Sequence, residues 1–274
     1  MNQPKEYDDS NSLQYRDIED LVEEFPEVFK KMKGRIIDIG CGPGNITKGV
    51  LLPAVGENAT IVGADLCPYM VAYAEQNYSV TNKLSYMQLD IQTPELPNNL
   101  IEKFDNATSF YCLHWCRNTK GALRNFYQLL RPGGKAIILT ISHHMIFDVY
   151  SEQREDPRFS AYMQDWLKFT SPQHGHPDAE DILRNDLNDI GFKIHHCSNR
   201  WKTFTYPRME ALIDLVMSVN PFVMRLPADL QKPYREDFEK RLKDKHLPKK
   251  DYSSGCSVDC CIALLIAVFE KPHY

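Results

Sequence analysis

The chain has 274 residues, a formal net charge of −5, and charged and apolar fractions of 25% and 43%. This length supports a self-sufficient core. The mild acidity, with no basic block beyond residues 240–250, excludes a nucleic-acid backbone as the main partner.

The N-terminal residues are polar, without the apolar core of a secretion signal, and the longest apolar run, 260–269, is too short to span a bilayer. The eight cysteines have no paired Cys-x-x-Cys spacing, which favours reduced thiols. We therefore expect a cytoplasmic protein without a membrane span.

Residues 1–12 are polar, and we expect them to be mobile. Residues 13–31 place apolar side chains at helical spacing, with Pro26 as a break or kink. The helix precedes the first strand signal in the chain.

Residues 35–39 place three isoleucines around one acid and predict a buried parallel strand. Gly40, Gly42 and Gly44 follow, and a helix is predicted at about 45–52. Glycine permits positive φ and lets the backbone approach a ligand closely. This stretch therefore predicts a strand, a nucleotide-binding loop and a helix start.

The spacing of this loop separates two cofactor classes. A dinucleotide fingerprint requires its third glycine at the position of Asn45. Here Asp38 also lies inside the strand, two residues before Gly40. The pattern Asp-x-Gly-x-Gly-x-Gly resembles motif I of the class I S-adenosylmethionine (SAM)-dependent methyltransferases, which implies SAM as the cofactor.

Strands and helices then alternate at lengths that predict a parallel, doubly wound sheet, in which ligands lie beyond the carboxyl ends of the strands. The predicted strands are 59–65, 84–89, 104–111 and 135–141, the helices are 68–78 and 119–130, and 131–134 is a turn.

After Ser142 the pattern changes, and residues 145–170 are rich in aromatic side chains and irregular to helical. Further helices are predicted at 178–190, 208–219 and 228–243, and strands at 192–199 and 258–269. The layout indicates one sheet whose later connections are lengthened into a helical lid.

Acids at the ends of consecutive strands strengthen the cofactor prediction. Asp65 ends the second strand, where a carboxylate can accept both ribose hydroxyls, although a helix cap is an alternative. The methyltransferase pattern places Asp90 and Ile91 beside the adenine, with a plain turn as the alternative for Asp90. The residues predicted to contact the cofactor are Asp38, Gly40, Cys41, Gly42, Asp65, Leu66, Met70, Asp90, Ile91 and Phe110.

Buried Asp38 needs hydrogen-bond partners, and we expect loop amides or the SAM ammonium group to supply them. Met70 can equally be a core residue, and Cys41 is expected to contribute only its backbone.

Narrower strings at residues 10–14, 110–115, 146–150 and 220–222 are similar to those of the insect juvenile hormone acid O-methyltransferases, and the resemblance runs from about residue 7 to 270. It implies a Rossmann-like α/β fold with a mostly parallel seven-stranded sheet flanked by helices. It also implies methyl transfer from SAM to the carboxylate of farnesoic or juvenile hormone acid.

By position in the family, Gln14 and Trp115 would hold the substrate carboxylate. The chemistry agrees, because an amide and an indole N–H are donors that can each fix one carboxylate oxygen. An ionised carboxylate needs no general base, so alignment and exclusion of water can carry the reaction. His114 is then expected to shape the pocket or hydrogen-bond the loop.

The lid aromatics suit a long apolar acid. The residues predicted to line the substrate pocket are Phe147, Tyr150, Trp166, Phe169 and Phe222, and burial in the core of the lid is the alternative for each. We expect residues 1–274 to form one methyltransferase domain with helical lid insertions at about 145–176 and 205–250.

Histidine pairs occur at His143-His144, His174-x-His176 and His195-His196, but no metal site is predicted. Adjacent histidines on a strand point to opposite faces, and no Cys or carboxylate completes a set at ligand spacing. There is also no Ser or Cys nucleophile motif and no Walker loop.

Three other functions stay open at this point. The chain can be a class I methyltransferase for another small acid or amine, a non-catalytic SAM-binding protein, or, least favoured, a nicotinamide dehydrogenase. The oligomeric state is open as well, with a homodimer as one option.

Overall fold

A computed structural model describes residues 3–247 and 256–273. Residues 248–250 of the basic stretch, the end of the second predicted lid insertion and the first two residues of the predicted mobile segment lie outside this range. The fold contains one seven-stranded sheet. Its strands are β1 (Arg35–Ile39), β2 (Thr60–Asp65), β3 (Leu84–Gln88), β4 (Phe104–Phe110), β5 (Leu130–His144), β6 (Lys193–Tyr206) and β7 (Val258–Glu270).

The strand order is β3-β2-β1-β4-β5-β7-β6, and the pairs from β3 to β5 are all parallel. The last strand, β7, runs antiparallel to both of its neighbours, β5 and β6. This confirms the predicted mostly parallel sheet. From β1 the chain first adds strands on one side of the sheet (β2, β3) and then on the other side (β4, β5). A crevice therefore forms beyond the carboxyl ends of β1 and β4.

The helices connect the strands and build the lid. They are α1 (Pro4–Ser10), α2 (Ser12–Glu24), α3 (Pro26–Lys31), α4 (Leu52–Ala54), α5 (Pro68–Tyr78), α6 (Thr119–Leu129), α7 (Met145–Gln153), α8 (Ala179–Ile190), α9 (Met209–Val219) and α10 (Ala228–Arg241). Short 3-10 turns occupy Asn98–Leu100, Leu113–Trp115, Ser160–Tyr162, Trp166–Phe169 and Val223–Arg225, and π-helical turns occupy Thr47–Leu51 and Leu242–His246.

Buried side chains form two apolar clusters. The larger one includes residues of α2, α7, α9 and α10 and of the lid, and the smaller one includes residues of α6 and α8. Successive residues of β7 join different clusters, because Leu264 belongs to the first and Leu265 to the second. Both faces of this strand are buried, which explains its unbroken apolar run.

Three predicted elements differ from the structure. Residues 4–10 form a helix where no element was predicted. The helix predicted at about 45–52 is present at residues 45–54, with Thr47–Leu51 in a π-helical turn. The predicted turn at 131–134 lies within β5 as an irregularity, where Gly133 has a φ of 79° and its N–H donates to the Lys271 carbonyl (2.7 Å). Strand β6 continues to Tyr206 because it pairs with β7 along its whole length.

Among the helices of the described residues, none has the length and apolar character required to cross a lipid bilayer.

Candidate active site

The glycine loop after β1 has the backbone that its sequence predicts. Gly40, Gly42 and Gly44 have φ values of 75°, 55° and 92°, in the left-handed region. A Cβ at Gly40 would lie 2.3 Å from the Cys112 Cβ, and one at Gly44 would lie 2.7 Å from the Tyr86 hydroxyl oxygen. Glycine is therefore required at positions 40 and 44 by both dihedral angle and space.

Asp38 is buried below this loop and is held by two hydroxyl groups. Thr47 Oγ1 donates to Asp38 Oδ2 (2.6 Å), and Thr108 Oγ1 donates to Oδ1 (2.8 Å). These threonines supply the contacts that were expected from loop amides. Burial raises the pKa of Asp38 to about 6, although the two hydrogen bonds act against the rise.

Asp65, at the end of β2, joins the loop to the crevice. Its Oδ2 accepts from the Gly42 N–H (3.0 Å), and its Oδ1 accepts from the Cys67 N–H (2.8 Å). Partial burial raises the pKa of Asp65, while these two bonds lower it. Each oxygen keeps one lone pair for a ligand.

Asp90, beyond the end of β3, is more exposed and makes the turn that was one of its two predicted roles. Its Oδ1 accepts from the Gln92 N–H (2.8 Å). The same residue lies on the wall of the crevice, beside buried Ile91. The structure thus places Asp90 where both predicted roles are compatible.

All the residues predicted to contact the cofactor line one cavity. It opens at the carboxyl ends of β1, β2 and β4 and runs below α1, α2 and α9. Its wall includes Asp38, Gly40, Cys41, Gly42, Asp65, Leu66, Met70, Asp90, Ile91 and Phe110. Met70 is also a buried core residue, and its contact with the cofactor stays a prediction.

The same cavity continues to the residues expected to hold a carboxylate, because Gln14 on α2 and Trp115 after β4 both line it. Gln14 Oε1 is buried without a hydrogen-bond partner. Within residues 3–247 and 256–273, the Trp115 indole N–H also has no acceptor. Gln14 Nε2 likewise donates to no group in the described part of the chain, so both side chains on this wall have unused N–H donors.

His114 is buried on the same wall and is neutral at physiological pH. Its Nδ1 lies 3.4 Å from Thr140 Oγ1, and its ring is 4.8 Å from the Trp115 ring. Burial, followed by nearby His144, lowers the pKa of His114 to about 3. This environment suits a positioning group and disfavours a proton carrier.

Only one of the five predicted pocket aromatics, Phe147, lines the cavity. Tyr150 and Phe222 are buried in the lid, where Phe222 packs edge-on against Tyr150 (5.3 Å) and Phe169 (5.4 Å). Phe169 and Trp166 are half-buried, and the Arg154 guanidinium lies over the Trp166 ring. The apolar wall comes from elsewhere, from Ile141, Ile146, Tyr206, Leu212, Leu215, Val216 and Val219.

The N-terminal helix contributes cavity residues that sequence reasoning missed. Half-buried Tyr7 lines the cavity near Asp65, and burial together with this carboxylate raises the pKa of its hydroxyl. Asp8 fixes the helix by accepting from the hydroxyls of Tyr73 (3.0 Å) and Tyr78 (2.6 Å) on α5. A polar segment without periodicity carries no signal for these contacts.

A second missed pair joins α2 to the glycine loop. The side-chain amides of Asn11 and Asn45 exchange two hydrogen bonds of 3.1 Å, and both residues line the cavity. Asn45 occupies the position where a dinucleotide fingerprint has glycine. The sequence signal was thus present at Asn45, but its partner 34 residues earlier could not be inferred.

Comparisons with known proteins give consistent relatives. A family model described as a methyltransferase domain matches residues 37–138. Juvenile hormone acid O-methyltransferase of Drosophila melanogaster is 34% identical over 242 residues, covering 87% of this chain and 82% of that protein. The Bombyx mori protein of the same name is 31% identical over 240 residues, covering 87% and 85%.

Solved structures show the same fold at low identity. A putative methyltransferase from Bacillus halodurans is 17% identical with a TM-score of 0.55, covering 90% of this chain and 97% of its own. An N-methyltransferase of Haemonchus contortus, in complex with phosphomonomethylethanolamine and S-adenosylhomocysteine, has 17% identity and a TM-score of 0.53, covering 95% and 53%.

Proposed function

The chain belongs to the juvenile hormone acid O-methyltransferase family, and we propose that it methylates the carboxylate of a long apolar terpenoid acid, such as farnesoic or juvenile hormone acid. Family membership makes it a SAM-dependent O-methyltransferase that acts on an acid, with SAM as its cofactor. The acid itself, and the residues that bind it, are the proposal.

The residues at the glycine loop fit this cofactor. Asp65 keeps lone pairs for the two ribose hydroxyls. The Gly40 and Gly42 backbone leaves space for the methionine part, and Asp90 and Ile91 would border the adenine. SAM, when bound, supplies an electrophilic methyl group on a sulfonium.

The observation that carries the proposed carboxylate site is that the Gln14 amide N–H and the Trp115 indole N–H donate no hydrogen bond within residues 3–247 and 256–273. Each can donate a hydrogen bond to one oxygen of an ionised carboxylate. Neither becomes a nucleophile, and the carboxylate needs no base because it is already ionised at neutral pH. The protein's task is to align this oxygen and exclude water.

His114 supports the carboxylate site without proton transfer. Because its pKa is lowered to about 3, the neutral ring can accept from Thr140 at Nδ1 and present an Nε2–H donor. The apolar side chains of α9 and of the segment after β5 supply the surface for a hydrocarbon chain.

The direct test incubates the protein with labelled SAM and a panel of terpenoid acids, fatty acids and amines. We expect methyl ester from farnesoic or juvenile hormone acid. Ester only from another acid, or product only from an amine, would contradict the terpenoid class. SAM binding without turnover on any acceptor would indicate a non-catalytic binding protein.

A matched pair of tryptophan variants tests the carboxylate site. Trp115→Phe removes the donor, and we expect kcat/KM for the acid to fall about 10- to 100-fold because a hydrogen bond to a charged group is lost. Trp201→Phe, at an exposed tryptophan outside the cavity wall, should change little. Equal kcat/KM in both variants would show that Trp115 does not hold the substrate carboxylate.

A further inference from the structure

A side-chain cluster distinct from the cavity lies where β5 meets α7. His143 is the penultimate residue of β5, Asp148 lies in the first turn of α7, and His174 belongs to the segment before α8. One potential ligand atom from each residue lies within 4.8 Å of the other two. His174 Nε2 is 2.9 Å from Asp148 Oδ1, and His143 Nε2 is 3.8 Å from Asp148 Oδ2.

We propose that His143, Asp148 and His174 bind one divalent transition-metal ion of the Zn²⁺ or Co²⁺ class. Zn²⁺ and Co²⁺ bind well to a set of two imidazole nitrogens and one carboxylate oxygen, whereas Mg²⁺ and Ca²⁺ favour oxygen ligands alone. A set of three leaves coordination positions for water. The spacing along the chain hid the set, because Asp148 is five residues from His143 and 26 from His174.

The charge around the cluster favours a cation. In the described part of the chain, Asp148 has ion-pair contacts with the two histidines alone, and no Lys or Arg compensates its charge.

The fold supports the two rings and leaves them accessible. Adjacent His144 points to the other face, where its Nδ1 accepts from the Ile146 N–H (3.2 Å). His143 stacks on His174 (4.6 Å between ring centroids) and lies beside Trp201 of β6 (5.2 Å). The side chains of His143, Asp148 and His174 are 30%, 37% and 17% exposed, so an ion can reach them.

The bound ion would connect three segments of the lid region. His174 also packs edge-on against Phe147 (5.3 Å), and Phe147 lines the cavity of the candidate active site. A metal ion bound by His174 would therefore hold Phe147 in place on the cavity wall without contacting the predicted cofactor residues.

The test titrates the metal-free full chain with Co²⁺ at pH 7.5 and follows visible d–d absorption and equilibrium dialysis. We expect one Co²⁺ per chain, bound at least about tenfold more weakly by Asp148→Asn and by His174→Ala. His176→Ala and His195→Ala are the controls, because these histidines contact Asp178 and Glu270 instead, and binding should be unchanged.

A second measurement keeps the proposal falsifiable if His174→Ala does not fold. Zn²⁺ should raise the thermal midpoint of the wild type but not of Asp148→Asn, which preserves the size of the side chain. Equal metal affinity in wild type and Asp148→Asn would overturn the proposal. So would a thiolate-to-cobalt charge-transfer band that persists in every histidine variant, since it would place the ion on exposed cysteines.

Discussion

The Asp65 carboxylate accepts hydrogen bonds from the glycine loop and also lines the cavity, so removing it should directly lower the affinity for SAM. We expect Asp65→Ala to weaken SAM binding by about 1–3 kcal/mol, the range for hydrogen bonds to charged groups. Calorimetric titration with SAM measures the change. Asp189→Asn, an exposed acid paired with Lys120, is the control, and unchanged SAM affinity in Asp65→Ala would remove Asp65 from the ribose role.

Asp38 makes stability depend on pH in an unusual direction. Its pKa is raised to about 6 in the folded state, so the folded protein binds this proton more tightly than the unfolded chain does. The resulting stabilisation is present at low pH and is lost as pH rises through 6.

The comparison with Asp38→Asn isolates this carboxyl group from all others. Between pH 4 and pH 6.5, the unfolding free energy of the wild type relative to Asp38→Asn should fall by about 2 kcal/mol. Urea unfolding of the SAM-free proteins at a series of pH values measures it. A difference that is constant with pH, or that grows in the other direction, would contradict the raised pKa.

Single residues also show the limit of sequence reasoning. The positions of Gly40, Gly44 and Asp65 at the site were predictable, because alternating glycines indicate a loop with positive φ and an acid at the end of a strand indicates a ligand contact or a cap. Tyr150 and Phe222 were not, because apolar side chains predict burial without saying which surface covers them. Both pack against each other, and α9 lines the cavity in their place.

At the scale of elements, a buried hydrogen bond attaches α2 to Tyr111, the residue that follows β4. The Tyr111 hydroxyl donates to Asp17, whose carboxylate is also paired with Arg16 and Lys202. Tyr111 has a φ of 54°, which costs a non-glycine residue about 1–2 kcal/mol. The contact holds α2, and with it Gln14 three residues before Asp17, against the cavity.

Tyr111→Phe should therefore affect acid binding more than cofactor binding. We expect a loss of about 1–3 kcal/mol in unfolding free energy from the lost hydrogen bond. The KM for the acid should rise several-fold while the SAM dissociation constant stays within about twofold. Tyr69→Phe, at an exposed residue of α5, is the control. A variant that loses stability but keeps its KM would show that the contact is structural only.

The predictions of element boundaries were wrong where contacts with distant parts of the chain, rather than local composition, determine the boundary. The polar residues of α1 become helical because Asp8 meets two tyrosines of α5. Strand β6 extends past residue 199 because β7 supplies a pairing partner as far as Tyr206. Neither partner is close in sequence, so periodicity could not reveal it.

For the whole molecule, the last strand completes the sheet between β5 and β6. Since both apolar clusters use β7, we propose that the chain is one domain and expect a single cooperative unfolding transition. The sequence predicted the strand itself from its apolar run. Its insertion between β5 and β6 was not predicted, because an apolar run does not specify which strands will be its neighbours.

Adjacent leucines in β7 test the coupling of the two clusters. Leu264→Ala opens a cavity on one face and Leu265→Ala on the other, and each should lower the unfolding free energy by about 2–5 kcal/mol. Cys261→Ala, at an exposed position of the same strand, should change it by less than about 0.5 kcal/mol. Denaturant unfolding followed by both circular dichroism and tryptophan fluorescence measures the three variants.

If the fold is one unit, both probes shift together in each leucine variant, because neither cluster can lose its part of β7 alone. Separate transitions for the two probes would instead divide the molecule into two independently unfolding parts.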